Sequence, residues 1–147
     1  IGGTVLYLAV EKNLLKVAST FLENGANPNI KAKNNLTSIY KSVLDNNYDM
    51  TKLLLENGAE TEITIKSGST PLFAASFLGF DKIVNLLLNY NANPNIKVLE
   101  KNAFFVALSN DHQNTAISLA GSEDIFCQQI QATEYEYKYT EFCGDLA

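Results

Sequence analysis

Side-chain catalysis needs a nucleophile, a base and a place for developing charge in one cleft. Against that requirement the 147-residue chain offers one histidine, His112, and two cysteines, Cys127 and Cys143. A zinc site takes four ligands, usually thiolate or imidazole, so one imidazole and two thiols sixteen residues apart supply neither a zinc set nor a disulfide framework. Such cysteine usage fits a reducing compartment. Neither thiol has a second histidine or a lysine cluster beside it to lower its pKa, and both read as buried or idle thiols. Gly2-Gly3-Thr4 and Gly68-Ser69-Thr70 look like phosphate loops but lack the Gly-x-x-x-x-Gly-Lys spacing. The carboxylates are scattered, so the residues point to no enzyme, no cofactor and no metal.

The elements that would carry these residues follow from composition and period. With 46% apolar and 18% charged residues, the chain has enough core-forming side chains for one globular domain. No run approaches the eighteen or so apolar residues of a membrane span, which excludes a bilayer-crossing helix. All eleven basic residues are lysine, so the arginine forks that read guanine edges and clamp phosphates are missing, which argues against a nucleic-acid partner. The net charge of −5 comes from residues 122–147, where six acidic residues face Lys138 alone.

Leu-Glu-Asn-Gly-Ala at 22–26 returns at 55–59, an offset of 33. Asn-Ala-Asn-Pro-Asn-Ile at 91–96 echoes Gly-Ala-Asn-Pro-Asn-Ile at 25–30 after two such steps. The same ruler marks Thr4, Thr37, Thr70 and Ala103. A fixed period of this length is the signature of stacked repeats. Each unit holds two helical patterns. Thr70-Pro71 is a good helix start, with a capping hydroxyl and a proline whose missing N–H would be unpaired anyway. Asn13, Asn46, Gly79 and His112 then stand where positive-φ helix ends are expected, and Gly25, Gly58 and Asn91 close the second helices. His112 is thereby read as a cap rather than a base. Leu6, Val17, Phe21, Leu22, Leu53, Leu54, Leu72, Ile83, Leu86 and Leu87 form the expected core.

Thr70-Pro71-Leu72-Phe73-Ala74-Ala75, Gly79, Ile83-Val84, Leu86-Leu87-Leu88 and Asn91-Ala92-Asn93-Pro94-Asn95 resemble, in order and spacing, the pattern of the ankyrin repeat family. The resemblance covers residues 1 to about 121 and implies an all-α, ankyrin-type α-solenoid of stacked helix-turn-helix repeats with short extended turns. The approximate units are 1–31, 32–64, 65–97 and 98–121. The family's histidine is replaced by Tyr7, Tyr40, Phe73 and Val106, which can fill space but cannot reproduce the imidazole's backbone links. In the fourth unit Ala103 stands in for the capping threonine.

Beyond Gly121 the period fails. Ser122-Glu123-Asp124 is a good helix start, and Phe126, Ile130, Thr133 and Tyr137 keep helical spacing, so 122–147 reads as a C-terminal capping helix or acidic, Tyr-rich tail. The alternation in Tyr135-Glu136-Tyr137-Lys138-Tyr139 equally fits a half-buried strand.

What the resemblance implies about function is binding of a partner protein along a concave groove, without catalysis. Carried onto this sequence, the groove takes Lys33, Asn34, Leu36, Lys66, Ser67, Ser69, Leu99, Glu100 and Asn102 from the turns. The first helices add Glu11, Lys12, Leu44, Asp45, Phe77, Leu78, Asn110 and Asp111. Leu44, Phe77 and Leu78 would be an apolar spot in a polar groove, the composition of an interface hot spot. The expected compartment is the cytoplasm. Because the chain starts at Ile1, three residues before Thr4, additional N-terminal repeats are expected in the full-length protein. The alternative is a targeting segment of a longer host-directed effector or multidomain enzyme. Seventeen asparagines and no arginine suggest the AT-rich coding of many intracellular microbes, which would place an effector in the host cytosol.

Overall fold

The computed structural model describes residues 2–144, with side chains from Val5 onward. Four helix pairs follow one another: α1 (Gly2–Glu11) with α2 (Leu15–Glu23), α3 (Ser38–Leu44) with α4 (Tyr48–Glu56), α5 (Pro71–Leu78) with α6 (Asp81–Asn89), and α7 (Ala103–Ser109) with α8 (Gln113–Ala120). Then come α9 (Glu123–Ile130), a 3₁₀ turn at Tyr137–Tyr139 and α10 (Thr140–Gly144). The first helices α1, α3, α5 and α7 stack in one row, and α2, α4, α6 and α8 form a second row against it.

The helices are short, so their ends matter as much as their faces. Thr37, Thr70 and Asn102 open α3, α5 and α7 with side-chain oxygens that accept from the N–H groups of Tyr40, Phe73 and Phe105 at 3.3, 3.1 and 3.0 Å. Such a cap contributes about 1 kcal/mol. Asn13, Asn46 and Gly79 have positive φ as expected, and so do Gly25, Gly58 and Asn91 behind the second helices. Beyond each of the latter, Ala26, Ala59 and Ala92 donate back to the carbonyls of Phe21, Leu54 and Leu87 at 2.9, 3.0 and 3.0 Å. These are Schellman-type closures.

The fourth unit departs from the expected register by one residue. Its capping residue is Asn102 and not Ala103, which is buried inside the first turn of α7. Everything behind the cap shifts accordingly: Asp111, with φ 63°, holds the left-handed position assigned to His112, whose φ is −93°. The missing residue is lost at a turn tip. Three-residue loops close the first two turns, at 33–35 and 66–68, with Asn35 and Gly68 left-handed. In the third, Val98 and Lys101 bond each other at both ends and leave only Leu99-Glu100 between them.

Leu6, Ile39, Met50, Leu54, Leu72, Ile83 and Leu87 fill the core between the rows. Val17 does not: it is exposed, and Ala18 turns inward instead. A second cluster, made of Phe104, Leu108, Ala116, Phe126, Ile130 and Tyr139, joins the fourth pair to the tail.

The tail neither continues as one helix nor forms a strand. Ser122 caps α9 by accepting from the Ile125 N–H at 3.2 Å. Thr133 then takes the Ile130 carbonyl with both its N–H (3.1 Å) and its hydroxyl (2.5 Å), and Ala132 adopts φ 59°, which ends the helix at Ile130. The chain turns back, burying Tyr139 and leaving Tyr137 exposed. That return brings Cys143 to Cys127 with a Cα separation of 5.7 Å, and the two form a disulfide. The expectation of idle thiols is therefore overturned, and with it the argument for a reducing compartment. Sequence spacing carried no sign of a turn that would align the two Cβ vectors.

Candidate interaction surface

The turns pack beside the first helices, as the bonds of Asn34 with Tyr7 and of Ser69 with Tyr40 show. Successive first helices pack directly on one another, so Leu44 of α3 and Phe77 of α5, seven residues behind their caps, occupy equivalent places on neighbouring helices. Leu44, Phe77 and Leu78 are 39%, 49% and 37% exposed. Lys33, Lys66 and Ser67 on the turn tips are exposed as well, as is Asp45, the neighbour of Leu44 in sequence. Asp45 is held by Lys41 at 2.6 Å, and this contact pushes the Lys41 ammonium above the usual lysine range.

Several expected contact residues are committed elsewhere. Ser69 is buried: its hydroxyl accepts from the Tyr40 hydroxyl at 2.9 Å, so it belongs to the repeat interface and not to the surface. Asn34, although exposed, donates to the Tyr7 hydroxyl at 2.7 Å and accepts from the Leu36 N–H at 3.1 Å. Leu36 is half-buried on the core. The tyrosines at the family's histidine position thus do more than fill space, because each hydroxyl reaches the turn of the following repeat. The one-residue shift makes Phe105, not Val106, the fourth member of that series. Phe73 and Phe105 have no hydroxyl to offer.

At the other end, Asn110 is half-buried and donates to the Val106 carbonyl at 2.9 Å. Asp111 pairs with Lys138 of the tail. Once the register is corrected, the counterparts of Phe77 and Leu78 are Ser109 and Asn110, so the apolar spot ends at α5. His112 is also structural. Its Nε2 donates to the Phe77 carbonyl at 3.0 Å, tying the start of α8 to the end of α5. Glycine is required beneath it: Gly79 has φ 73°, and a Cβ there would lie 2.4 Å from the ring.

Leu99 is 93% exposed, and both Leu99 (φ 48°) and Glu100 (φ 67°) are left-handed. A two-residue turn of this kind favours Asn-Gly, and each ordinary residue held there costs about 1 kcal/mol. An exposed leucine on a strained tip was not legible from a lone Leu-Glu dipeptide, since the strain arises only from the shortened loop.

Among the described residues no group of three or more His, Cys, Asp or Glu is arranged to hold a metal, and no helix is long and apolar enough to cross a membrane. No curated protein matches the chain. A family model for ankyrin repeats, three copies in length, matches residues 6–98 and again, overlapping, residues 39–130. With that match over most of its length, and with paired helices repeating along it, the chain belongs to the ankyrin repeat family.

Proposed function

We propose that this chain is a non-catalytic module that binds a partner protein along the turn tips and the exposed ends of α3 and α5. Ankyrin repeats are generally protein–protein interaction modules, which supports the class of function. The observation that carries the site is the exposure of Leu44, Phe77 and Leu78 on the packed helices α3 and α5, and the exposed Lys33, Lys66, Ser67 and Asp45 are proposed as its polar rim. An apolar centre inside a polar rim is the arrangement in which a few desolvated side chains carry most of the binding energy. Leu99 and Glu100 extend the surface toward the fourth repeat. The two lysine tips favour a partner with acidic groups at its edge. Ser69, Leu36 and Asn110 act by holding this surface in place. Affinity capture from cell extract tests the reading: the parent chain should retain a protein that the triple variant Leu44→Glu, Phe77→Glu, Leu78→Glu loses while remaining folded. Equal retention would move the site off α3 and α5.

A further inference from the structure

The two ends of the stack are built differently. At the C-terminal end, α9, the aromatic cluster around Phe126 and the Cys127–Cys143 disulfide cover the fourth pair and leave Leu108 and Ala116 fully buried. Among the described residues, nothing covers Val5, Leu8, Leu14 and Val17 on the outer face of the first pair. Counting from the helix-opening residues, Val17 of α2 corresponds to Met50, Ile83 and Thr115. Val17 is 42% exposed, whereas those three are at 0%, 1% and 0%. Each buried counterpart sits in a helix packed on the second helix of the preceding pair. Val5 repeats the contrast on the first helix: it is 38% exposed, while Ser38, Pro71 and Ala103 are buried. Leu8 is exposed where Ala74 and Val106 are buried, and Leu14 where Asn47, Phe80 and His112 are half-buried. Leu15 carries no weight, because its counterpart Tyr48 is equally exposed.

We propose that this face is an interface for a further helix-turn-helix repeat, carried by the same polypeptide ahead of α1 and stacked on Val5, Leu8 and Val17 as α1 and α2 stack on α3 and α4. A terminal repeat needs a polar outer face to stay soluble, and this one presents four apolar side chains at positions that are covered, fully or in part, in the later repeats. The internal interfaces fix the geometry of the occupant, since the same positions are filled there by a preceding helix pair. A second copy of the chain cannot supply that geometry. Head-to-tail stacking needs an open C-terminal end, which α9 and α10 close, and head-to-head contact would oppose two identical faces rather than a face and its complement. A direct chain link raises the effective concentration of a preceding repeat at this face.

Carbene footprinting of the natural full-length protein against residues 1–147, read by mass spectrometry residue by residue, tests this. In residues 1–147 Leu8 and Val17 should label strongly while Met50 and Ile83 do not. In the natural protein, labelling at Leu8 and Val17 should fall to the Met50 level, and the protein should carry sequence ahead of α1 sufficient for a helix pair. Persistent labelling in the natural protein would overturn the proposal. So would protection in residues 1–147 that grows with protein concentration and is abolished by Val17→Lys, which would assign the face to a second copy.

Discussion

The Tyr40 hydroxyl donates to the Ser69 hydroxyl at 2.9 Å inside the interface between the second and third repeats. Both groups are buried, and among the described residues the Ser69 hydroxyl's only other hydrogen bond is a long 3.4 Å approach to the Thr70 carbonyl. Tyr40→Phe should therefore destabilise the domain by about 1–2 kcal/mol, measured as a lower urea midpoint at unchanged slope, because it leaves a buried hydroxyl without its partner.

The same tyrosine makes stability fall at alkaline pH. Burial raises the Tyr40 phenol above its ordinary range, only partly offset by the bond with Ser69, and burial likewise raises Tyr139. With the folded pKa above the unfolded one, the stabilising difference is complete below about pH 10 and is lost as pH rises through the folded value. Urea midpoints between pH 8 and pH 11 should decline at the upper end, and the decline should be shallower in Tyr40→Phe.

Gly79 and His112 are coupled. Gly79→Ala forces a side chain into a left-handed position and against the imidazole, so it should cost about 2 kcal/mol or more. Adding His112→Ala removes the clash, so the double variant should be less unstable than the sum of the two single changes. Simple additivity would mean the ring moves aside freely.

How much of this was readable beforehand depended on whether a feature repeats. The caps at Thr37 and Thr70, the left-handed Asn46 and Gly79, and the buried Leu54 and Leu87 recur with the period and were legible from it. Asn102, expected on the groove's turn surface, is instead the half-buried cap of α7, because a one-residue deletion at Leu99-Glu100 moves the ruler and an asparagine caps a helix as well as a threonine does. Val17 was misplaced because the pattern marks which face is apolar, not whether a neighbour covers it. The disulfide and the Asp111–Lys138 pair arise from a turn outside the repeat, where no second copy existed for comparison. In the candidate surface, Leu44, Phe77 and Leu78 stood at the expected positions, whereas the commitment of Ser69 and Asn34 to tyrosine hydroxyls required coordinates.

The strained tip gives a prediction of opposite sign. Leu99→Asn with Glu100→Gly suits a turn whose two central residues are left-handed and should stabilise the domain by about 1–2 kcal/mol. If Leu99 contacts the partner, the more stable variant binds more weakly.

The Cys127–Cys143 link closes a loop of sixteen residues around the tail. Its removal by Cys143→Ser should cost about 3 kcal/mol on the chain-entropy account of a loop this long. Hydrogen exchange should quicken in α10 and around Tyr139 while α3 to α6 remain protected. Uniformly faster exchange would show instead that the tail stabilises the whole stack.

Whether the exposed ends of α3 and α5 carry the proposed binding is tested most directly by the dissociation constant of the captured partner for the parent chain and for Phe77→Ala, with folding checked by circular dichroism. The expected loss is about 2 kcal/mol, a drop in affinity of roughly thirtyfold. An unchanged constant in a folded variant would contradict it.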